Sequence, residues 1–139
     1  MASIQKFEDI RSWQEARALN ELMGALIDED RFKRNYRLIS QIEGSAGSIM
    51  DNIAEGFERG GNREFIQFLC IAKGSCGELR SQLYRAIDRN YINIEEFKRI
   101  TSRTIIISKL IQKLITYLNA SDYKGNKFRE KPASHNLEP

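Results

Sequence analysis

Apolar residues recur at steps of three and four along most of this chain, the period of an amphipathic helix. The first such segment covers roughly 9–28. Ile10, Trp13, Ala16, Leu19, Leu22, Met23, Leu26 and Ile27 form its stripe, and Asp9 or Ser12 could cap its start. The second covers roughly 36–58, with Leu38, Ile42, Ala46, Ile49, Ile53 and Phe57 along one side. Gly60-Gly61 then breaks the pattern, and Asn62 is placed to cap the next helix. The third segment, roughly 63–89, carries Phe65, Leu69, Ala72, Cys76, Leu79, Leu83 and Ala86 at alternating steps of four and three, the seam of a helical bundle.

The fourth segment covers roughly 94–119. Asn93 stands at its cap, and Glu95-Glu96 lie in the first turn, where the helix dipole favours carboxylates. Phe97, Ile100, Thr104, Ile107, Ile111, Leu114 and Leu118 repeat the seam spacing. Residues 121–139 lose the period and hold both prolines. The expected organisation is therefore one bundle over 1–120 and a frayed tail over 121–139. No stretch alternates as a strand would. Short connections favour antiparallel neighbours, so the predicted fold is all-α, an antiparallel up-down-up-down four-helix bundle. Two features suggest an oligomer: Phe65–Ala72 is apolar almost all round, and Ile106, Leu110 and Tyr117 add a second stripe to the fourth helix.

Polar and small residues interrupt the middle helices. Ser48, Asn52 and Glu55 share a face, and Gly74, Ser75, Gly77 and Glu78 come later in the third helix. If the chain folds back at Gly60-Gly61, facing positions add to about 121. Gly44 would then meet Gly77, and Gly47 would meet Gly74, so the helices could approach closely at two levels. Each glycine costs ~1 kcal/mol of helix propensity relative to alanine. The economical reading of the polar set is a hydrogen-bonded network that fixes register, with Glu55-Gly56 as a cap near the turn. A ligand or catalytic site inside the bundle is the competing reading.

Composition narrows the choice. The chain has 139 residues, 41% hydrophobic and 29% charged, with a net charge of +3. This is an ordinary soluble balance that permits a polyanionic partner without demanding one. Cys70 and Cys76 are six apart on one helix and cannot pair with each other, which suits a reducing compartment. No apolar run approaches a membrane span, and the N-terminus lacks the apolar core of a signal peptide, so a cytoplasmic location is expected. Di-metal carboxylate chemistry in such a fold wants inward Glu-x-x-His pairs, whereas the single histidine, His135, lies in the tail. Neither a zinc set nor a Ser-His or Cys-His nucleophile can be assembled, so neither catalysis nor a cofactor nor a metal is expected.

The basic residues gather in sequence near two loops that an up-down-up-down bundle places at one end. Arg31, Lys33, Arg34, Arg37, Arg85 and Arg89 are the candidate nucleic-acid contacts, with Lys98 and Arg99 beside them. Asp28, Glu29, Asp30, Asp88, Glu95 and Glu96 share that end, so eight basic and six acidic groups leave two net positive charges. Arg59, Arg63 and the tail's Lys124, Lys127, Arg129 and Lys131 are weaker candidates. Phe32 and Tyr36 could stack on bases or anchor the loop.

Several motifs occur together in order: Phe7-Glu8-Asp9-Ile10-Arg11-Ser12-Trp13, Gln41-Ile42, Ser48-Ile49, Asn52-Ile53-Ala54-Glu55-Gly56, then Gly74-Ser75 and Glu78-Leu79. Over residues 6 to about 118 the chain thereby resembles the four-helix-bundle proteins of the 23S ribosomal RNA intervening-sequence family. The resemblance implies a bundle that assembles as a ring, typically a homopentamer, with no established enzymatic activity. A more distant similarity, to the accessory protein of diversity-generating retroelements, implies work beside a reverse transcriptase and nucleic acid. After Gln41-Ile42, where family members often carry basic residues, this chain has Glu43-Gly44-Ser45. The expected function is a non-catalytic oligomer that binds RNA or DNA through its basic end. The alternative is a scaffold or adaptor that recruits a partner protein, for example a nucleic-acid enzyme, without touching nucleic acid.

Overall fold

A computed structural model describes residues 4–127, and the side chains of residues 4–121. Four helices carry the fold: α1 (Arg11–Asp28), α2 (Tyr36–Glu58), α3 (Asn62–Asp88) and α4 (Ile94–Lys127). A short 3-10 turn at Phe7–Asp9 precedes them and packs on α1 and α2. No strand occurs among the described residues. Consecutive helices pack on each other, and α1 also packs on α4, which closes an up-down-up-down bundle.

The seam positions read from periodicity make up the core. Leu19, Ile42, Ile49, Ile53, Phe65, Leu69, Leu79, Leu83 and Ile111 are fully buried. Thr104, the one polar residue in the α4 seam, is also buried, and its hydroxyl donates to the Ile100 carbonyl at 2.8 Å. That bond within the helix satisfies the hydroxyl where no side-chain partner is needed.

The helix ends partly differ from the sequence expectations. Neither Asp9 nor Ser12 caps α1: the capping position falls on Ile10, and Ser12 is buried inside the first turn. Asp9 instead accepts the backbone N–H groups of Gln5 and Lys6, each at 3.2 Å, which ties down the preceding turn. Asn62 is the first residue of α3 rather than its cap, which is Gly61 in extended backbone. The expected break at Gly60 is real, since Gly60 has φ +85°, a conformation that side chains disfavour. Asn93 does cap α4. Its side-chain oxygen accepts from Glu96 N–H while the Glu96 carboxylate accepts from Asn93 N–H, both at 2.9 Å, a reciprocal capping box. Helix α4 continues to Lys127, past the boundary expected near residue 119, because both prolines lie farther on.

Candidate functional site

The α2–α3 pairing supports the expected network in part. Ser45 Oγ donates to Glu78 Oε1 at 3.0 Å, and Ser75 Oγ donates to Ser48 Oγ at 2.8 Å. Asn52 Nδ2 donates to both Ser48 Oγ and Ser48 O at 2.8 Å. The positions in each cross-helix pair add to 123, close to the expected 121. Ser45, which sequence reasoning left out of the network, is a member, and its buried place in the α2 seam was the available signal. Glu55 is not a member: it is exposed, and the residue of α3 level with it is the apolar Phe68.

The expected glycine pairing does not occur. A Cβ built on Gly44 or Gly74 would meet nothing within 4 Å, and on Gly47 or Gly77 only the tip of a flexible side chain at 4.0 Å. The reason is angular. Gly44 stands two residues from both Ile42 and Ala46, and Gly74 two from both Ala72 and Cys76, a rotation of about 200° away from the seam at 3.6 residues per turn. The close approach is at Gly56, where a Cβ would lie 2.6 Å from Phe68 Cβ and 3.0 Å from Phe65 Cδ1. Gly56 is therefore a packing residue within α2, not a cap.

At the opposite end of α2 the α1–α2 and α3–α4 loops meet. Arg31 makes a bidentate ion pair with Glu96, at 2.6 Å and 2.5 Å, and also reaches Glu29 at 3.3 Å. The Arg31 hydrogen bond, helped by the Asn93 N–H, holds the Glu96 carboxyl below the usual carboxylate range, and Arg31 is raised in turn. Phe32 is buried and lies against the Tyr91 ring, with centroids 5.3 Å apart. Asn35 caps α2 by accepting Leu38 N–H at 3.1 Å, and its Nδ2 donates to Tyr91 Oη at 3.4 Å. The Asn35 hydrogen bond, then one from Arg89, hold the Tyr91 hydroxyl below the ordinary phenol range, with the charges of Arg89 and Lys33 adding to it. The loop at the end of α3 is a Schellman turn. Tyr91 N–H donates to Ala86 O and Asn90 N–H to Ile87 O, both at 2.9 Å, with Asn90 in left-handed backbone at φ +62°.

Of the predicted phosphate contacts, Arg31 is committed to Glu96 and Glu29 and holds the two loops together. Arg85 is exposed and donates to Gln41 Oε1 at 2.7 Å. Lys33, Arg34, Arg37 and Arg89 are exposed. Among the described residues, none of Lys33, Arg34 and Arg37 has an ion pair within 4.0 Å. His135 and the tail's Arg129 and Lys131 lie outside the described residues. Among those residues, no group of three or more His, Cys, Asp and Glu side chains is arranged to hold a metal ion.

Known proteins point the same way as the fold. Residues 8–113 match the family model of the 23S rRNA-intervening sequence protein. A crystal structure of a protein of unknown function from the S23 ribosomal protein family of Bacteroides thetaiotaomicron VPI-5482 superposes with a TM-score of 0.69 at 23% identity. The overlap covers 75% of this chain and 97% of that one, a likeness of fold. No curated protein matches the sequence. With the family model spanning well over half of its length, the chain belongs to the 23S rRNA-intervening sequence protein family.

Proposed function

We propose that this protein is a non-catalytic, oligomeric bundle of the cytoplasm that binds nucleic acid at the end where the α1–α2 and α3–α4 loops meet. The observation that carries the reading is the division of labour among the basic residues there. Arg31 is paired with Glu96, while Lys33, Arg34 and Arg37 stay exposed and without an ion pair among the described residues. Unpaired surface cations are what a phosphate backbone recruits, with release of its counterions. Two free cysteines suit a reducing compartment. Among the described residues no helix is long and apolar enough to cross a membrane.

A ring of copies would repeat this modest charge around a common axis and concentrate its field. Ile71, Ile105 and Ile106 are each about half exposed, which supports burial against further copies of the chain, in the homopentamer that the family resemblance implies. The same apolar faces favour the second reading, an adaptor that holds a partner protein.

Fluorescence anisotropy with labelled RNA and DNA, at low and near-physiological salt, separates the two readings. Nucleic-acid binding predicts affinity that falls with salt and falls again in a folded Arg34→Glu/Arg37→Glu variant. Absence of binding at low salt rejects it and leaves the adaptor.

A further inference from the structure

We propose that the Phe32–Tyr36 turn is a preformed seat for single-stranded nucleic acid, in which Lys33 and Arg34 hold phosphates and Tyr36 stacks on a base. This rests on the reading of the basic end above and names the form of nucleic acid that the end takes.

The backbone supplies the first reason. Lys33 and Arg34 both have left-handed backbone, φ +48° and +63°, and Asn35 N–H donates across them to Phe32 O at 2.9 Å. Positive φ at both central residues, closed by that bond, is a type I′ turn, which favours Asn-Gly, Asp-Gly or Gly-Gly. Side chains with a Cβ are disfavoured in this conformation. Both are exposed and neither is ion-paired among the described residues, and the tie of Lys33 to the fold is only the weak pull of its charge on the Tyr91 hydroxyl. A turn needed only to connect α1 to α2 would do better with Asn-Gly. Long cationic side chains kept at strained positions point to a use outside the chain.

The second reason is rigidity. The turn is held on both sides: Arg31 by Glu96, Phe32 by the core and Tyr91, and Asn35 by its cap on Leu38. Tyr36 N–H closes the next step onto Arg34 O at 2.8 Å. The backbone that carries the cations is therefore ordered before any ligand arrives, and binding loses less entropy.

The third reason is the division between the two aromatic residues. Phe32 is 1% exposed and anchors the turn, whereas Tyr36 is 69% exposed at the first position of α2. An open aromatic ring flanked by Arg34 and Arg37 offers the two contacts that single strands use, a stacking platform and phosphate neutralisation. A duplex keeps its base faces stacked internally, so the ring has nothing to take from it.

Anisotropy with one sequence as single strand and as duplex, at low salt, tests this in the full-length protein. Tyr36→Ala is expected to weaken single-strand binding about tenfold, to leave duplex binding within about twofold, and to be rescued by Tyr36→Phe. Lys33→Asn/Arg34→Gly is expected to weaken single-strand binding and to make its salt dependence shallower by about 1.4 in logarithmic slope. That variant should also melt at or above the wild-type temperature, because Asn-Gly fits the turn. A lower melting temperature, or single-strand affinity indifferent to both substitutions, overturns the inference. Equal binding of strand and duplex with no effect of Tyr36→Ala overturns it alone and leaves the basic-end reading standing. No binding of either form at low salt removes both.

Discussion

At the scale of single residues, two glycines of the same helix make opposite demands. A methyl group at Gly56 would collide with Phe68 Cβ at 2.6 Å, backed by Phe65, so the α2–α3 crossing would have to open. Gly56→Ala is expected to destabilise the protein by about 1–3 kcal/mol, the usual cost of overpacking, in urea unfolding. Gly44→Ala meets open space and gains helix propensity, so it should stabilise by about 0.5–1 kcal/mol in the same assay. The cysteines divide similarly. Cys70 is exposed, while Cys76 is buried with its thiol pushed up to about 11 by burial. A maleimide reagent at neutral pH should label one thiol per native chain and two per unfolded chain. Which glycine is tight could not be read from their matched spacing, because spacing along the chain says nothing of how far each position is turned from the neighbouring helix.

At the scale of elements, Glu96 joins two of them, since it completes the cap of α4 and holds Arg31 of the α1–α2 loop. Its pKa is depressed in the fold. The stability it contributes is therefore present above the ordinary carboxylate value near 4.5 and is lost as pH falls through its lower folded value. A series of melting temperatures from pH 7 downward should show wild type converging on Glu96→Gln as the carboxylate protonates. Asn93→Ala, which removes the other half of the capping box, should cost about 1 kcal/mol at neutral pH. The cap itself was legible in Asn93-Ile94-Glu95-Glu96, being local. The ion pair was not, because Arg31 and Glu96 are 65 residues apart and each had an unremarkable local role.

At the scale of the whole molecule, exposed apolar residues set the expectation. Ile71, Ile105 and Ile106 remain open on α3 and α4, and sedimentation velocity at micromolar concentration should show an assembly larger than one chain. Ile106→Asp is expected to shift the population toward smaller species, since an unpaired charge in an apolar contact is costly. An unchanged sedimentation coefficient would remove α4 from the contact. Salt dependence belongs to this scale too, since it reports the number of phosphates engaged at once.

The sequence by itself determined the helices, their seams and their antiparallel order, because a period of three and four is a local property that survives in any context. It also brought Ser48 to within two residues of the level of Ser75 across the Gly60-Gly61 turn, though the bond between them is a product of the packing. Only the tertiary structure decided which small residue is tight, which arginine is spent on a carboxylate, and which of Phe32 and Tyr36 faces water. Each of those outcomes depends on rotation about a helix axis or on contact between distant loops. A type I′ turn built from Lys33-Arg34 shows the limit most plainly. Its residues argue locally against the conformation they adopt, and only anchors elsewhere in the fold hold them there.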